Sequence, residues 1–148
     1  MTQPAQEYFH SITAKLLYLS KRSRPDILPE AILTKRVTKP QEHDLKKLER
    51  TIQYIRGTKN LGLELEIDDP TRVYAYVDAS YGVHSDMKSH TGSVISLGKG
   101  VIYGKSSTQK LNTKSSTESE LIGLSDSANQ ILWVRDFMNG TSNHLPRQ

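Results

Sequence analysis

The chain has 148 residues, the length of one ordinary domain or two small ones, with 35% hydrophobic residues and a formal net charge of +4. It contains no cysteine, which rules out a disulfide scaffold, a thiolate nucleophile and a cysteine-ligated zinc site. No apolar run approaches the ~20 residues that span a bilayer, and Met1 to His10 lacks the layout of a signal peptide, so neither a membrane nor a secreted protein is expected.

Tyr8, Ile12, Leu16 and Leu19 keep to one face of a 3.6-residue period and predict a first helix. Lys21, Arg22 and Arg24 crowd its C-terminal end, and Pro25 should stop it. Residues 25–40, with Pro25, Pro29 and Pro40, read as a connector. A second helix is predicted over 41–56, with Leu45, Leu48, Ile52 and Ile55 as its apolar stripe and Gly57 at its C-terminal cap. Its other side carries Lys46, Lys47, Arg50 and Arg56, which form either a solvated face or one that contacts phosphates.

After Asn60 the period changes to 2. Leu61, Leu63, Leu65 and Ile67 alternate with polar residues or glycine and predict a half-buried strand. Val73, Ala75 and Val77 predict a second strand, beyond the turn Asp68-Asp69-Pro70. Two more strands are predicted, around Gly92–Leu97 and Val101–Lys105, joined by the turn Gly98-Lys99-Gly100. A long helix should follow over 117–138, buried through Leu121, Leu124, Ala128, Ile131 and Leu132. Capping-box patterns mark its start twice, as Ser115 with Glu118 and Thr117 with Glu120. The tail Asn139–Gln148 has turn residues and little to bury.

Among the carboxylates, Asp78 ends an apolar strand before a loop, where it either forms a turn or holds a hard cation. Glu118 and Glu120 point about 200° apart on a helix, so both cannot face one site. Glu120 falls nearer the predicted apolar stripe, and Glu118 suits the cap with Ser115. Asp126 and Asp136 read as surface charges, while His84 and His90 flank the loop after Asp78 as loop residues or ligand contacts.

These residues resemble a known family. Tyr76-Val77-Asp78-Ala79-Ser80-Tyr81, Ser89-His90-Thr91-Gly92, Gly104-Lys105-Ser106-Ser107 and Lys114 through Leu124 are similar, in that order, to the ribonuclease H region of Ty1/copia-type retrotransposon polyproteins. Leu132-Trp133-Val134-Arg135 fits the same pattern. Upstream, Leu16-Leu17-Tyr18-Leu19, Arg24-Pro25-Asp26-Ile27 and Ile52 through Thr58 resemble the segment that joins the family's reverse transcriptase to its ribonuclease H.

The resemblance implies an α/β fold: a partial ribonuclease H-like fold of three to four mostly antiparallel strands plus a long helix, preceded by two helices. It divides the chain into a helical connection segment over 1–60 and a truncated ribonuclease H-like domain over 61–148. It further implies magnesium-dependent hydrolysis of RNA in RNA–DNA hybrids, with Asp78 and Glu120 as catalytic metal ligands and Glu118 as the alternative to Glu120. The implied partners are an RNA–DNA hybrid or other nucleic acid, touched by Lys46, Lys47 and Arg50, and the rest of a Pol polyprotein. The implied setting is a cytoplasmic retrotransposon particle or the nucleus.

Two of the family's four carboxylates have no counterpart here, so magnesium binding and cleavage by this chain alone are expected to be weak or lost. The competing expectation is a non-catalytic module that binds nucleic acid or protein. A third is self-association through an exposed sheet edge.

Overall fold

The structure is a computed structural model that describes residues 2–84 and 86–142. The chain forms two compact units, Met1–Leu63 and Glu64–Gln148.

In the first unit, helix α1 (Gln3–Arg22) leads into 3₁₀ turns over Pro25–Arg36 and then helix α2 (Glu42–Gly57). Phe9, Leu33 and Leu48 form its core, surrounded by Ile12, Leu16, Val37, Leu45 and Ile52. Two expectations change. Ile12 and Leu16 of the expected α1 stripe pack on the core, but Tyr8 is half exposed and the fully buried α1 residues are Phe9, Thr13 and Ser20, one position round the helix. The connector is not irregular. Proline fixes φ near the value a 3₁₀ turn needs, and the winding buries Ile27, Leu28 and Leu33.

Helix α2 opens with a reciprocal cap: the Gln41 side chain accepts from the backbone N–H of Asp44. The Asp44 carboxylate in turn accepts the Gln41 N–H at 3.0 Å. Its far end is closed by Thr58, one residue beyond the predicted Gly57. The Thr58 N–H and Oγ1 both donate to the carbonyl of Tyr54, at 3.0 and 2.8 Å.

In the second unit, β2 (Tyr74–Ser80), β3 (His90–Ser96) and β5 (Tyr103–Thr108) form an antiparallel sheet in that order. The short strands β1 (Glu66–Ile67) and β4 (Gly98–Lys99) pair separately. The predicted strand over Leu61–Ile67 thus shrinks to two residues. Among the described residues its only partner is the two-residue β4, and Leu61, Leu65 and Ile67 are exposed. The predicted turn Gly98-Lys99-Gly100 instead supplies that partner strand, using positive φ at Gly98 and Gly100.

The unbroken register sorts the sheet residues by face. Asp78 pairs with Gly92, which pairs with Ser106; Ser80 pairs with His90, which pairs with Thr108. Paired residues share a face and neighbours along a strand alternate. Asp78, Ser80, His90, Ser106 and Thr108 therefore belong to one face, and Ala79, Thr91 and Ser107 to the other.

Helix α3 (Ser116–Ser142) covers the second face. A Cβ placed on Gly123 would lie 3.4 Å from Ala79 Cβ and 3.3 Å from Thr91 Oγ1. The buried stripe of α3 is Ser119, Gly123, Ser127 and Val134, not the predicted Leu121, Leu124, Ala128, Ile131 and Leu132. Small residues let the helix approach closely, and Leu121, at 67% exposure, and Leu124, at 54%, point away from the sheet. The helix also runs through residues 139–142, where turn residues were expected; residues 143–148 lie outside the described residues.

Candidate functional site

Asp78 stands near the C-terminal end of β2, exposed on the open face of the sheet. Opposite it Gly92 contributes no side chain, and the space where its Cβ would sit is clear. The sheet around Asp78 therefore has a low floor, bordered by Ser80, His90 and Ser106. Glu120 is exposed in the early part of α3, three residues before Gly123. The crossing of α3 over Ala79 thus brings the elements of both carboxylates together: Asp78 adjoins Ala79, and Glu120 precedes Gly123 by about one helical turn.

Glu118 and Glu120 differ in their surroundings. The N–H of Glu118 donates to Ser115 Oγ at 3.1 Å, and its carboxylate accepts the N–H of Lys114 at 2.6 Å. Glu118 is committed to the start of the helix. The carboxylates of Glu120 and Asp78 have no hydrogen-bond or ion-pair partner among the described residues. The buried stripe of α3 centres about 50° from Glu120 and about 150° from Glu118. Glu120 thus lies nearer the buried stripe than Glu118 does, although that stripe is not the one expected. Asp126 and Asp136 are exposed.

A site for two divalent ions needs several converging oxygen ligands. Among the described residues no group of three or more histidine, aspartate or glutamate side chains is gathered to hold a metal ion. Asp78 and Glu120 alone do not fit a two-ion site.

Beside Asp78, the loop after β2 is tied down. The N–H of Gly82 donates to Ser89 Oγ at 3.2 Å, and the buried hydroxyls of Ser89 and Thr113 lie 2.6 Å apart. His84 Nε2 lies 3.0 Å from His90 Nδ1 and 2.9 Å from Thr108 Oγ1, and His90 Nε2 lies 2.8 Å from Ser106 Oγ.

In the first unit, Lys46, Lys47 and Arg50 are all exposed on α2 and fall within about 100° of arc. Arg50 also lines a cleft of about 280 Å³ with Asp26, Ile27, Glu30, Thr51 and Tyr54. Arg50 thus shares a cleft with two acidic residues, whereas Lys46 does not line it.

One network had no prediction attached to it. Arg24 is 7% exposed, and its Nε and Nη2 donate to the Asp26 carboxylate at 2.9 and 2.7 Å. Tyr54 Oη donates to the same carboxylate at 3.0 Å. The Arg24-Pro25-Asp26 and Tyr54–Thr58 segments that carry the upstream resemblance are thus joined in space. Their pairing of a cation, an anion and a tyrosine was the available signal.

No protein-family model matches the chain, and no solved structure matches it. Curated relatives do. The chain is 30% identical, over 99% of its length, to the retrovirus-related Pol polyprotein from transposon RE1 of Arabidopsis thaliana, of which it spans 10%. It is 32% identical over 88% of its length to an uncharacterized mitochondrial protein of the same plant, of which it spans 55%. It is 26% identical over 84% of its length to the secreted RxLR effector protein 161 of Plasmopara viticola, of which it spans 89%.

Proposed function

From the relationship of this chain to the Pol polyproteins of retrovirus-like transposons, we propose that its second unit is the leading part of a ribonuclease H-type nuclease and its first unit the connector preceding it. The observation that carries this reading is the meeting of the strand that bears Asp78 with the helix that bears Glu120. Each residue is an exposed, uncommitted carboxylate, and the strand and helix that bear them are locked together at Ala79 and Gly123. A nuclease that hydrolyses the RNA strand of an RNA–DNA hybrid holds divalent ions with such groups. A site of that kind needs further oxygen ligands beside these two. The open face floored by Gly92 leaves a backbone phosphate room to approach Asp78.

The test is cleavage of a labelled RNA–DNA hybrid by the purified chain in magnesium or manganese, beside Asp78→Asn. The expected result is trace cleavage or none from either protein. Robust cleavage that Asp78→Asn removes would mean the ligand count is wrong and that the chain completes the site itself.

A second reading, a binding module without catalysis, is favoured by the exposed cations of α2. It predicts hybrid binding that weakens steeply with salt, since each phosphate contact releases counterions. Reversing Lys46 and Lys47 to glutamate should flatten that dependence by about one unit of log–log slope per lost contact. An unchanged slope would dismiss the α2 face. Arg50→Glu should matter less, because Asp26 and Glu30 share its cleft.

A further inference from the structure

The His84–His90 pair takes no part in the reading above. His84 lies in the turn after β2, which is closed by the N–H of Met87 donating to the His84 carbonyl at 2.8 Å and the N–H of His84 donating to the Lys88 carbonyl at 3.2 Å. Met87 holds φ at +59°, a conformation that fixes the hairpin-like reversal. His90 is the first residue of β3, opposite Ser80 on one side and Thr108 on the other. The two rings are tilted by 55° with centroids 5.2 Å apart, and each is half-buried.

We propose that His84 and His90 form a binding site for one borderline transition-metal ion, of the zinc, copper(II) or nickel class, with Thr108 at its edge. The nitrogens His84 Nε2 and His90 Nδ1 are 3.0 Å apart. Two imidazole nitrogens each about 2.0–2.1 Å from a tetrahedral ion stand about 3.3 Å apart, so the ion enters with a small ring movement. Thr108 Oγ1, 2.9 Å from His84 Nε2, is a third donor beside the same point.

The other ring nitrogen of His90 already meets the usual requirement of a metal-bound imidazole. Its Nε2 lies 2.8 Å from Ser106 Oγ, which orients the ring and accepts a hydrogen bond from a proton held on Nε2 when Nδ1 binds the ion. Coordination requires both rings neutral, with a lone pair on His84 Nε2 and on His90 Nδ1. Imidazole ligands select zinc, copper or nickel over magnesium, which prefers oxygen. Two imidazoles and a hydroxyl leave at least one position for water, so the site is open rather than a closed structural cage.

Copper(II) and zinc titrations of the untagged chain test this, read by calorimetry and by the nitrogen hyperfine pattern of bound copper. The expected result is one ion per chain, two coordinated imidazole nitrogens, and no displacement by tenfold excess magnesium. His84→Gln and His90→Gln should each weaken binding by about tenfold or more, while His43→Gln, on α2, should not. Thr108→Val keeps both imidazoles and should retain the two-nitrogen signal even if a histidine variant folds poorly. A one-nitrogen or no-nitrogen signal from the unmodified chain overturns the proposal, and so does undiminished affinity in either folded histidine variant.

Discussion

Arg24 and Thr58 are thirty-four residues apart and joined twice: Arg24 Nη1 donates to the Thr58 carbonyl at 3.1 Å and Nη2 to Thr58 Oγ1 at 2.7 Å. The guanidinium also lies 5.6 Å from the centre of the Tyr54 ring. One buried cation therefore fastens the start of the 3₁₀ segment to the end of α2. Arg24→Ala should cost about 2 kcal/mol, because it removes the hydrogen bonds of a buried guanidinium to Asp26 and Thr58. Thr58→Val should cost about 1 kcal/mol. Arg24→Lys should recover little, since an ammonium cannot span both partners. Urea unfolding followed by far-UV circular dichroism checks all three, and a loss under 0.5 kcal/mol for Arg24→Ala would contradict the assignment.

The same network sets a pH dependence. The hydrogen bond from Arg24, aided by that from Tyr54, holds the Asp26 carboxyl below the ordinary carboxylate range against the opposing effect of burial. A lowered folded-state value means the stabilisation is fully present above the unfolded pKa of about 3.9 and is lost as pH falls through the folded value. The stability gap between the unmodified chain and Asp26→Asn should be constant from pH 5 to 8 and close below about pH 4. A gap that persists undiminished at pH 2.5 would show that the charge is not its source.

Gly123 is the contact point between α3 and the sheet. Gly123→Ala should be nearly neutral, because about 1 kcal/mol of helix preference offsets a slight displacement of Thr91. Gly123→Leu should cost about 3 kcal/mol or more, since the branched chain has no room above Ala79 and Thr91. Equal stability of the two variants, measured by thermal unfolding, would mean that α3 does not press on the sheet there.

Gly100 holds φ at +80°, and a Cβ there would run into the Glu64 carbonyl. Gly100→Ala should separate β1 from β4 while β2, β3 and β5 stay paired. The N–H of Asp68, which donates to the Leu97 carbonyl at 3.1 Å, is the reporter. Its hydrogen exchange should accelerate in the variant while that of Val94, inside β3, is unchanged.

Helix α2, strands β2, β3 and β5, and the start of α3 were legible because their periods and caps are local properties of the chain. What misled was the assumption that the most apolar stripe is the buried one. In α3 the leucines face outward, and Ser119, Gly123 and Ser127 face the sheet, because the space between the layers admits only small side chains. The strand over Leu61–Ile67 failed for a related reason: alternation specifies a face, but only a partner layer buries it. Asp78 and Glu120 were readable from the sequence. The relation of Asp78 to Gly92, His90 and Ser106 depends on pairing register, which no local pattern encodes.

The most direct test of the proposed role places this chain where the corresponding segment lies in a related transposon Pol polyprotein and measures cleavage of an RNA–DNA hybrid in magnesium. The chimera is predicted to cleave, with Asp78→Asn and Glu120→Gln each reducing the rate at least about a hundredfold and Glu118→Gln far less. Undiminished cleavage by either of the first two variants would contradict the account.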